Sequence, residues 1–234
     1  MCENEFIDYI IKLGINIDDN QKSQLNKYYE LLVEKNKVMN LTNITEKESV
    51  YLKHFYDSLT LVKACDFNEV ENLCDIGTGA GFPGLVIKIM FPHIKVVLID
   101  SLKKRINFLN EVIAELELKD VEAIHIRTEE YAKTNRNKFD IVTSRAVAKL
   151  SILTELCLPL VKIDKYFISM KSNVEEELQG IENNLNLLNS KIEQITTFFL
   201  PIEKSKRTLI KIRKIDYINK KYPRHFKEII KKPL

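Results

Sequence analysis

The stretch CDIGTGAGFPG, Cys74 to Gly84, decides how the rest of this chain is read. It follows an apolar run, VENLCDI, and precedes a helix-like one, GLVIKIMF, so it is a turn between a strand and a helix. Gly77, Gly79 and Gly81 allow a sharp turn and bring bare backbone close to a ligand, while Pro83 suits a first helical turn. The helix that follows directs its positive end at an anionic group. Gly79, Gly81 and Gly84 also satisfy G-x-G-x-x-G, and Asp100 stands 21 positions after Gly79, where a dinucleotide site wants a ribose-binding acid. Spacing alone leaves the cofactor open between a dinucleotide and a sulfonium donor.

Asp75 tips the balance. It gives D-x-G-x-G-x-G, the pattern of class I methyltransferases. An acid at this point repels a pyrophosphate but pairs with the ammonium of a methionine moiety, and Asp100 then grips the ribose hydroxyls.

Outward from the turn, KVVLID, VEAIHI, FDIVTS and YFISMK alternate with KKRINFLNEVIAEL, AVAKLSILTELCLPLV and VEEELQGIENNLNLL. This alternation predicts a mainly parallel sheet covered by helices on both faces. KIEQITTFFL and RTLIKIRKI follow with no helix between them and predict an antiparallel hairpin at the edge, making seven strands in a Rossmann-like α/β fold. The first third reads as helix near Asn4 to Leu13, Asn20 to Val38 and Glu46 to Ala64, with Thr45 expected as an N-cap. With no Gly/Ser-rich linker, residues 1–67 are expected to be a helical cap and 68–234 the Rossmann-like domain.

The chain has 234 residues, 45% of them apolar, enough for a substantial core. No run approaches the about 18 apolar residues of a membrane span and the N-terminus lacks a signal-peptide pattern, so a cytoplasmic protein with no membrane partner is expected. Cys2, Cys65, Cys74 and Cys157 form no C-x-x-C pair, which indicates reduced thiols and neither a disulfide framework nor a metal site. Net charge is only +3, but residues 204–234 hold twelve lysines and arginines against Asp216 and Glu228, a footprint suited to phosphates. A solvated strand and tail is the bland alternative.

Ligands of an open α/β sheet collect above the carboxyl ends of its strands. Arg127, Thr128, Glu129 and Glu130 there are placed to meet an adenine with backbone and carboxylate, Arg145 puts a guanidinium in the same crevice, and Lys171 adds a third positive group at that edge. The turn after the fourth strand reads SRAV, Ser144 to Val147, without the Pro-Pro-aromatic signature used on exocyclic amines, and Cys157 sits in an apolar run instead of offering a thiolate. A ring nitrogen such as guanine N7 is then the simplest acceptor. It carries a lone pair and no proton, so no residue is required as general base; Arg145 serves at most in positioning. His54 shares a helix face with Asp57 and Ser58, beside Lys53, and is read as a hydrogen-bonded histidine or part of a substrate wall.

NLTNITEKESVYLKHFYDSL, CDIGTGAGFPGL, LIDSLKKRINFL, IVTSRAVAKLSILTELCLPLV and the terminal KKYPR together resemble the bacterial 16S ribosomal RNA guanine-N7 methyltransferases, also called glucose-inhibited division protein B. The resemblance covers most of residues 40–225 and implies an S-adenosyl-L-methionine-dependent enzyme on 16S ribosomal RNA, a small ribosomal subunit or an assembly intermediate, expected to act as a monomer. Carried over by position, it implies that Gly77 and Phe82 contact the cofactor, Thr128 and Glu129 its adenosine part, and that Arg145 adjoins cofactor and acceptor. Ser172 departs from the glycine that many relatives have after the lysine. Lys53, His54, Lys103, Lys104, Arg105, Lys171 and Arg207 are the expected RNA-binding residues. A small-molecule methyltransferase on the same fold, a nicotinamide-dependent oxidoreductase and a non-catalytic RNA-binding module are the alternatives.

Overall fold

The computed structural model describes residues 1–145 and 147–234. Helices α1 (Glu3–Lys12) and α2 (Asp19–Met39) come first. Helix α2 begins with a reciprocal cap: Gln21 N–H donates to Asp18 Oδ1 at 2.7 Å, and Asp18 N–H donates to Gln21 Oε1 at 3.0 Å. It ends at Asn40 in the left-handed region, φ 49°, and buries Leu25, Tyr28 and Leu32 along one stripe. A composite segment follows: α3 (Lys47–Val50), a π-helical stretch Tyr51–Tyr56, α4 (Asp57–Leu59) and a 3-10 turn Thr60–Lys63. Its N-cap is Glu46, one residue beyond the expected Thr45, whose carbonyl instead accepts from the Tyr29 hydroxyl.

The α/β part runs β1 (Asn72–Ile76), α5 (Gly84–Met90), β2 (Lys95–Asp100), α6 (Lys103–Glu115), β3 (Val121–His125), α7 (Thr128–Thr134), β4 (Phe139–Arg145), α8 (Leu150–Cys157) and β5 (Val161–Lys171). It closes with α9 (Glu175–Leu178), α10 (Ile181–Leu187), β6 (Ser190–Phe199), β7 (Lys206–Lys214) and α11 (Phe226–Lys231). The seven strands lie in the order β3-β2-β1-β4-β5-β7-β6. The first five are parallel, and β7 enters antiparallel between β5 and β6. This is the mainly parallel seven-stranded sheet with an antiparallel hairpin that the alternation of runs predicts.

The single helix expected over VEEELQGIENNLNLL is broken into α9 and α10: α9 ends where Gln179 turns extended, and Gly180 at φ +73° caps the start of α10. Cys2 is exposed, whereas Cys74 and Cys157 are buried in apolar surroundings.

Apolar side chains gather on both faces of the sheet. On one face Phe6, Tyr28 and Phe55 from the leading helices share a core with Leu85, Leu98 and Leu109, so the cap and the sheet bury a common apolar surface. On the other, Leu153, Leu156 and Cys157 of α8 pack with Val142, Phe167 and the C-terminal Ile218, Tyr222 and Ile229. The order reverses at β1, which pairs with β2 on one side and β4 on the other, and the crevice above that switch point is where ligands enter such sheets.

Candidate active site

The turn after β1 takes the left-handed conformations its glycines permit, with φ of +67° at Gly77, +62° at Gly79 and +102° at Gly81. The N–H groups of Gly77 and Thr78 donate back to the Ile99 carbonyl at 2.8 and 3.1 Å, binding the turn to β2. At Gly81 a Cβ would stand 2.5 Å from the Tyr28 hydroxyl. That hydroxyl donates to the Ala80 carbonyl, so the cap presses directly on the turn.

Asp75 corrects an expectation. Its carboxylate is wholly buried and does not line the crevice. Oδ2 accepts from Thr78 Oγ1 at 2.7 Å and from Gly84 N–H at 2.9 Å, so it fastens the turn and occupies the start of α5. The end of α5 expected to hold an anionic ligand is therefore already met by an internal carboxylate. Burial pushes the Asp75 carboxyl up to about 6, and Oδ1 has no hydrogen-bond partner.

Asp100, at the end of β2, lines the crevice but is already engaged. Its Oδ1 accepts from Leu102 N–H at 2.9 Å; its Oδ2 accepts from Gly79 N–H at 3.1 Å and from Arg105 at 3.0 Å. Arg105 thus belongs to the crevice wall as the partner of Asp100, a correction to its expected place among phosphate-binding cations. Across the crevice, Thr128 is the first residue of α7 and Glu129 lies in its first turn. Glu129 is buried, with Oε1 lacking a partner. A partnerless carboxylate oxygen in a cavity wall is a prepared acceptor for a ligand donor.

The crevice encloses about 460 Å³ and gathers Gly77, Gly79, Phe82, Asp100, Thr128, Glu129 and Arg145, together with His54 from the cap. The π-helical stretch of the cap brings His54 over Phe82, ring centres 4.4 Å apart. Arg145 Nη2 donates to His54 Nδ1 at 3.2 Å. The Lys53 carbonyl lies at the same 3.2 Å from Nδ1, and Nε2 lies 2.9 Å from Thr42 Oγ1, so the ring is held by polar partners on both nitrogens. Burial and the Arg145 charge hold His54 down to about 3, so the ring is neutral near pH 7.

Arg145 is fixed from three sides. Nη1 donates to the Lys53 carbonyl at 3.0 Å and to Asp57 Oδ2 at 3.2 Å, and the guanidinium carbon lies 5.2 Å from the Phe82 ring centre. Asp57 also receives Arg207 Nε on Oδ1 at 2.9 Å. Ser58, expected on the same face, turns back to donate to the His54 carbonyl. Lys53, Asp57, Lys171 and Arg207 line a second cavity of about 420 Å³, which shares His54 and Arg145 with the first.

Several expected phosphate-binding groups are neutralised within the fold. Lys53 pairs with Glu203 at 2.6 Å, Lys171 with Glu177 at 2.8 Å, and Arg207 with Asp57. Much of the basic C-terminal footprint is structural as well: Lys214 is fully buried on the Val161 carbonyl, and Arg224 pairs with buried Glu155. Lys103 is exposed, and Lys104 is exposed with Nζ donating to the Met39 carbonyl. Ala146, in the turn after β4, lies outside the described residues. Leu41, Thr42, Val147 and Phe226 line the crevice without having been singled out, and no local pattern marks them.

The family model described as rRNA small subunit methyltransferase G (GidB) matches residues 21–210. The ribosomal RNA small subunit methyltransferase G of Bacillus subtilis is 48% identical over 223 residues, covering 94% of this chain and 93% of its own. The protein of the same name from Exiguobacterium sibiricum is 46% identical over the full length of both chains. Among solved structures, a SAM-dependent methyltransferase from Aquifex aeolicus superposes with a TM-score of 0.56 at 18% identity, over 75% of this chain and 97% of that one. TYW2 from M. jannaschii in complex with AdoMet gives 0.52 at 15% identity, over 63% and 70%. These two likenesses concern the fold.

Proposed function

Given that the chain belongs to the rRNA small subunit methyltransferase G (GidB) family, we propose that its crevice holds S-adenosylmethionine and that the adjoining cavity receives a guanine of 16S ribosomal RNA for methylation at N7. It is an S-adenosylmethionine-dependent methyltransferase of small-subunit ribosomal RNA. The observation that carries the site assignment is that two cavities, one above the switch point and one rimmed by cations, meet at His54 and Arg145.

The crevice fits the cofactor. Its volume lies within the range of about 300 to 1,000 Å³ usual for such ligands, its floor is glycine backbone, and Glu129 Oε1 offers an acceptor that nothing in the fold uses. Asp100 and Glu129 would hold the ribose and the adenine, and Gly77, Gly79 and Phe82 the remainder. Asp75 supports the turn from beneath.

The bound cofactor supplies a methyl group on a positively charged sulfur. Guanine N7 attacks with an existing lone pair and loses no proton, so this chain contributes alignment and charge placement, with no base. Arg145, locked by Lys53, Asp57 and Phe82, fixes the meeting point of the two cavities. The neutral His54 ring forms the wall there without adding another positive charge beside the sulfonium. Because N7 lies in the deep groove of A-form RNA, the target must be an unpaired or extruded nucleotide. Lys103 and Lys104 then meet flanking phosphates, while Lys53, Lys171 and Arg207 remain in their ion pairs at the rim. Residues 1–67 act as the cap of this site and 68–234 as the methyltransferase domain. We take the working unit to be a monomer in the cytoplasm; among the described residues no helix is long and apolar enough to cross a membrane.

The test is transfer from methyl-labelled cofactor to small subunits, assembly intermediates, naked 16S RNA and metabolite pools, followed by mapping of the labelled position. Label released by ribonuclease as 7-methylguanosine is expected. Label confined to free metabolites, or on another atom of the base, overturns the acceptor assignment.

A further inference from the structure

The C-terminal segment folds back on the domain, although the family match ends at residue 210. Arg136 donates to the Ile218 carbonyl at 2.6 Å and also to that of Tyr222. Arg224 closes on the wholly buried Glu155 of α8, with its own N–H and Nε on Oε1, each at 2.9 Å, and Nη2 on Oε2 at 2.6 Å. Ile218, Tyr222 and Ile229 are buried in the core of that face. These anchors bring Phe226, the first residue of α11, to the crevice wall. Beside it is Arg127, the guanidinium carbon 5.4 Å from the ring centre, and Arg127 lines the same crevice. The ring is half-buried: it packs at the edge of the core of that face and also lines the crevice.

We propose that Phe226 and Arg127 form the stacking platform for the adenine of the cofactor, which makes the C-terminal segment part of the donor site. The inference rests on the S-adenosylmethionine reading above and extends it to a residue outside the family match. Asp100, Thr128 and Glu129 supply polar contacts for a nucleoside, but they address its edges and hydroxyls. The faces of a purine need flat or apolar partners, and aromatic rings and guanidinium planes are the groups that stack on them. On the crevice wall the aliphatic Ile99, Ile126 and Leu156 are available for one face. Phe226 and Arg127 are a flat pair lining the same crevice as Glu129, whose Oε1 has no partner.

The chain contains no tryptophan, so Phe226→Trp installs a single fluorescent reporter at the proposed platform. S-adenosylhomocysteine and adenosine are expected to quench it, and methionine to leave it unchanged. By calorimetry, Phe226→Leu, which keeps apolar bulk but lacks a ring, is expected to bind S-adenosylhomocysteine about tenfold more weakly, while Phe226→Tyr stays near the parent protein. In turnover, Phe226→Leu should raise the cofactor KM and leave kcat and the RNA KM in place. Parent-like binding by Phe226→Leu, or fluorescence of Phe226→Trp unmoved at saturating S-adenosylhomocysteine, overturns the platform. Absence of heat with the parent protein is a different result: it removes the cofactor reading itself, and the platform with it.

Discussion

The crevice wall and the rim between cap and sheet both centre on an aspartate held by arginine, but the two are assembled differently. At the wall, Asp100 takes its hydrogen bonds from Leu102, Arg105 and Gly79, which lie 2, 5 and 21 positions away. At the rim, Asp57 joins Arg145 and Arg207, 88 and 150 positions away. The wall is a local construction around a turn, and it leaves one acceptor, on Glu129, for a ligand. The rim is a long-range latch that satisfies its own charges and pins the leading helices beside the cavity it lines. Charged residues at a functional edge therefore divide into those that serve a ligand and those that hold the edge in place.

The strongest way to break the comparison is Asp57→Ala. Asp57 is about 5% exposed in its side chain, with Arg145 at 16% and Arg207 at 20%, so the variant strands two poorly solvated guanidiniums. A loss of about 3 to 5 kcal/mol in urea unfolding is expected, the usual cost of removing one partner from a buried pair. A loss below about 1 kcal/mol, typical of exposed pairs, removes the latch. Next comes the wall. Gly81→Ala forces a side chain into φ +102° and against the Tyr28 hydroxyl. A destabilisation of about 2 kcal/mol, together with weaker S-adenosylhomocysteine binding, is expected by unfolding and calorimetry. Parent-like values would show that the cap does not press on the turn.

The same division explains what could be read in advance. Strands show as short apolar runs whether or not both faces are buried, so KVVLID coincides with β2, Lys95–Asp100, and each of the seven strands is visible. Strand β5 starts at Val161, five residues before the expected YFISMK and inside the run expected to be helix, where α8 ends at Cys157. The glycine turn was visible because left-handed backbone demands a local residue type. The start of the third helical segment was missed by one residue, since Glu46 caps it by backbone alone. Asp75 was given a ligand because a motif records which residue is present but not which way the carboxylate faces. Arg105, Lys214 and Arg224 were counted as open charge because their partners, Asp100, the Val161 carbonyl and Glu155, are set by tertiary packing. Phe226 carries no signal in a lysine-rich tail, as only the fold brings α11 to the crevice.

Proton linkage sharpens the comparison, because Asp75 beneath the glycine turn and His54 where the two cavities meet respond to pH with opposite sign. His54 titrates at about 3 in the fold against an ordinary 6.5, so the unfolded chain binds the extra proton between those values. Its stability contribution is complete above 6.5 and is lost as pH falls toward 3. Asp75 is raised to about 6 from 3.8, so its contribution is complete below 3.8 and is lost as pH rises through about 6. Between about 4 and 6 the two oppose each other. His54→Gln leaves Asp75 acting alone. Relative to the parent, the variant is expected to lose about 1.4 kcal/mol per pH unit as pH rises across that window, read from urea midpoints. A constant difference between the two proteins would show that His54 is not buried as a neutral ring.

The smallest effect concerns the cations the latch does not absorb. Lys103 begins α6, directly after the crevice-lining strand β2, and is exposed; among the described residues it makes no ion pair. A lysine in that position contributes to RNA binding through released counterions, so removing it should cost every RNA sequence alike and less than about 1 kcal/mol near physiological salt. Its signature is the slope: for Lys103→Ala, the dependence of log affinity on log salt should flatten by about 0.7 to 0.9, one phosphate contact. S-adenosylhomocysteine affinity should be unchanged, because Lys103 lies outside the crevice lining. Arg207→Ala provides the contrast. Arg207 already spends its charge on Asp57, so its replacement should lower folding stability more than it flattens the salt slope. If both variants flatten the slope equally and leave stability untouched, the rim is an open phosphate-binding surface like the ground around Lys103, and the distinction between latch and ligand surface fails.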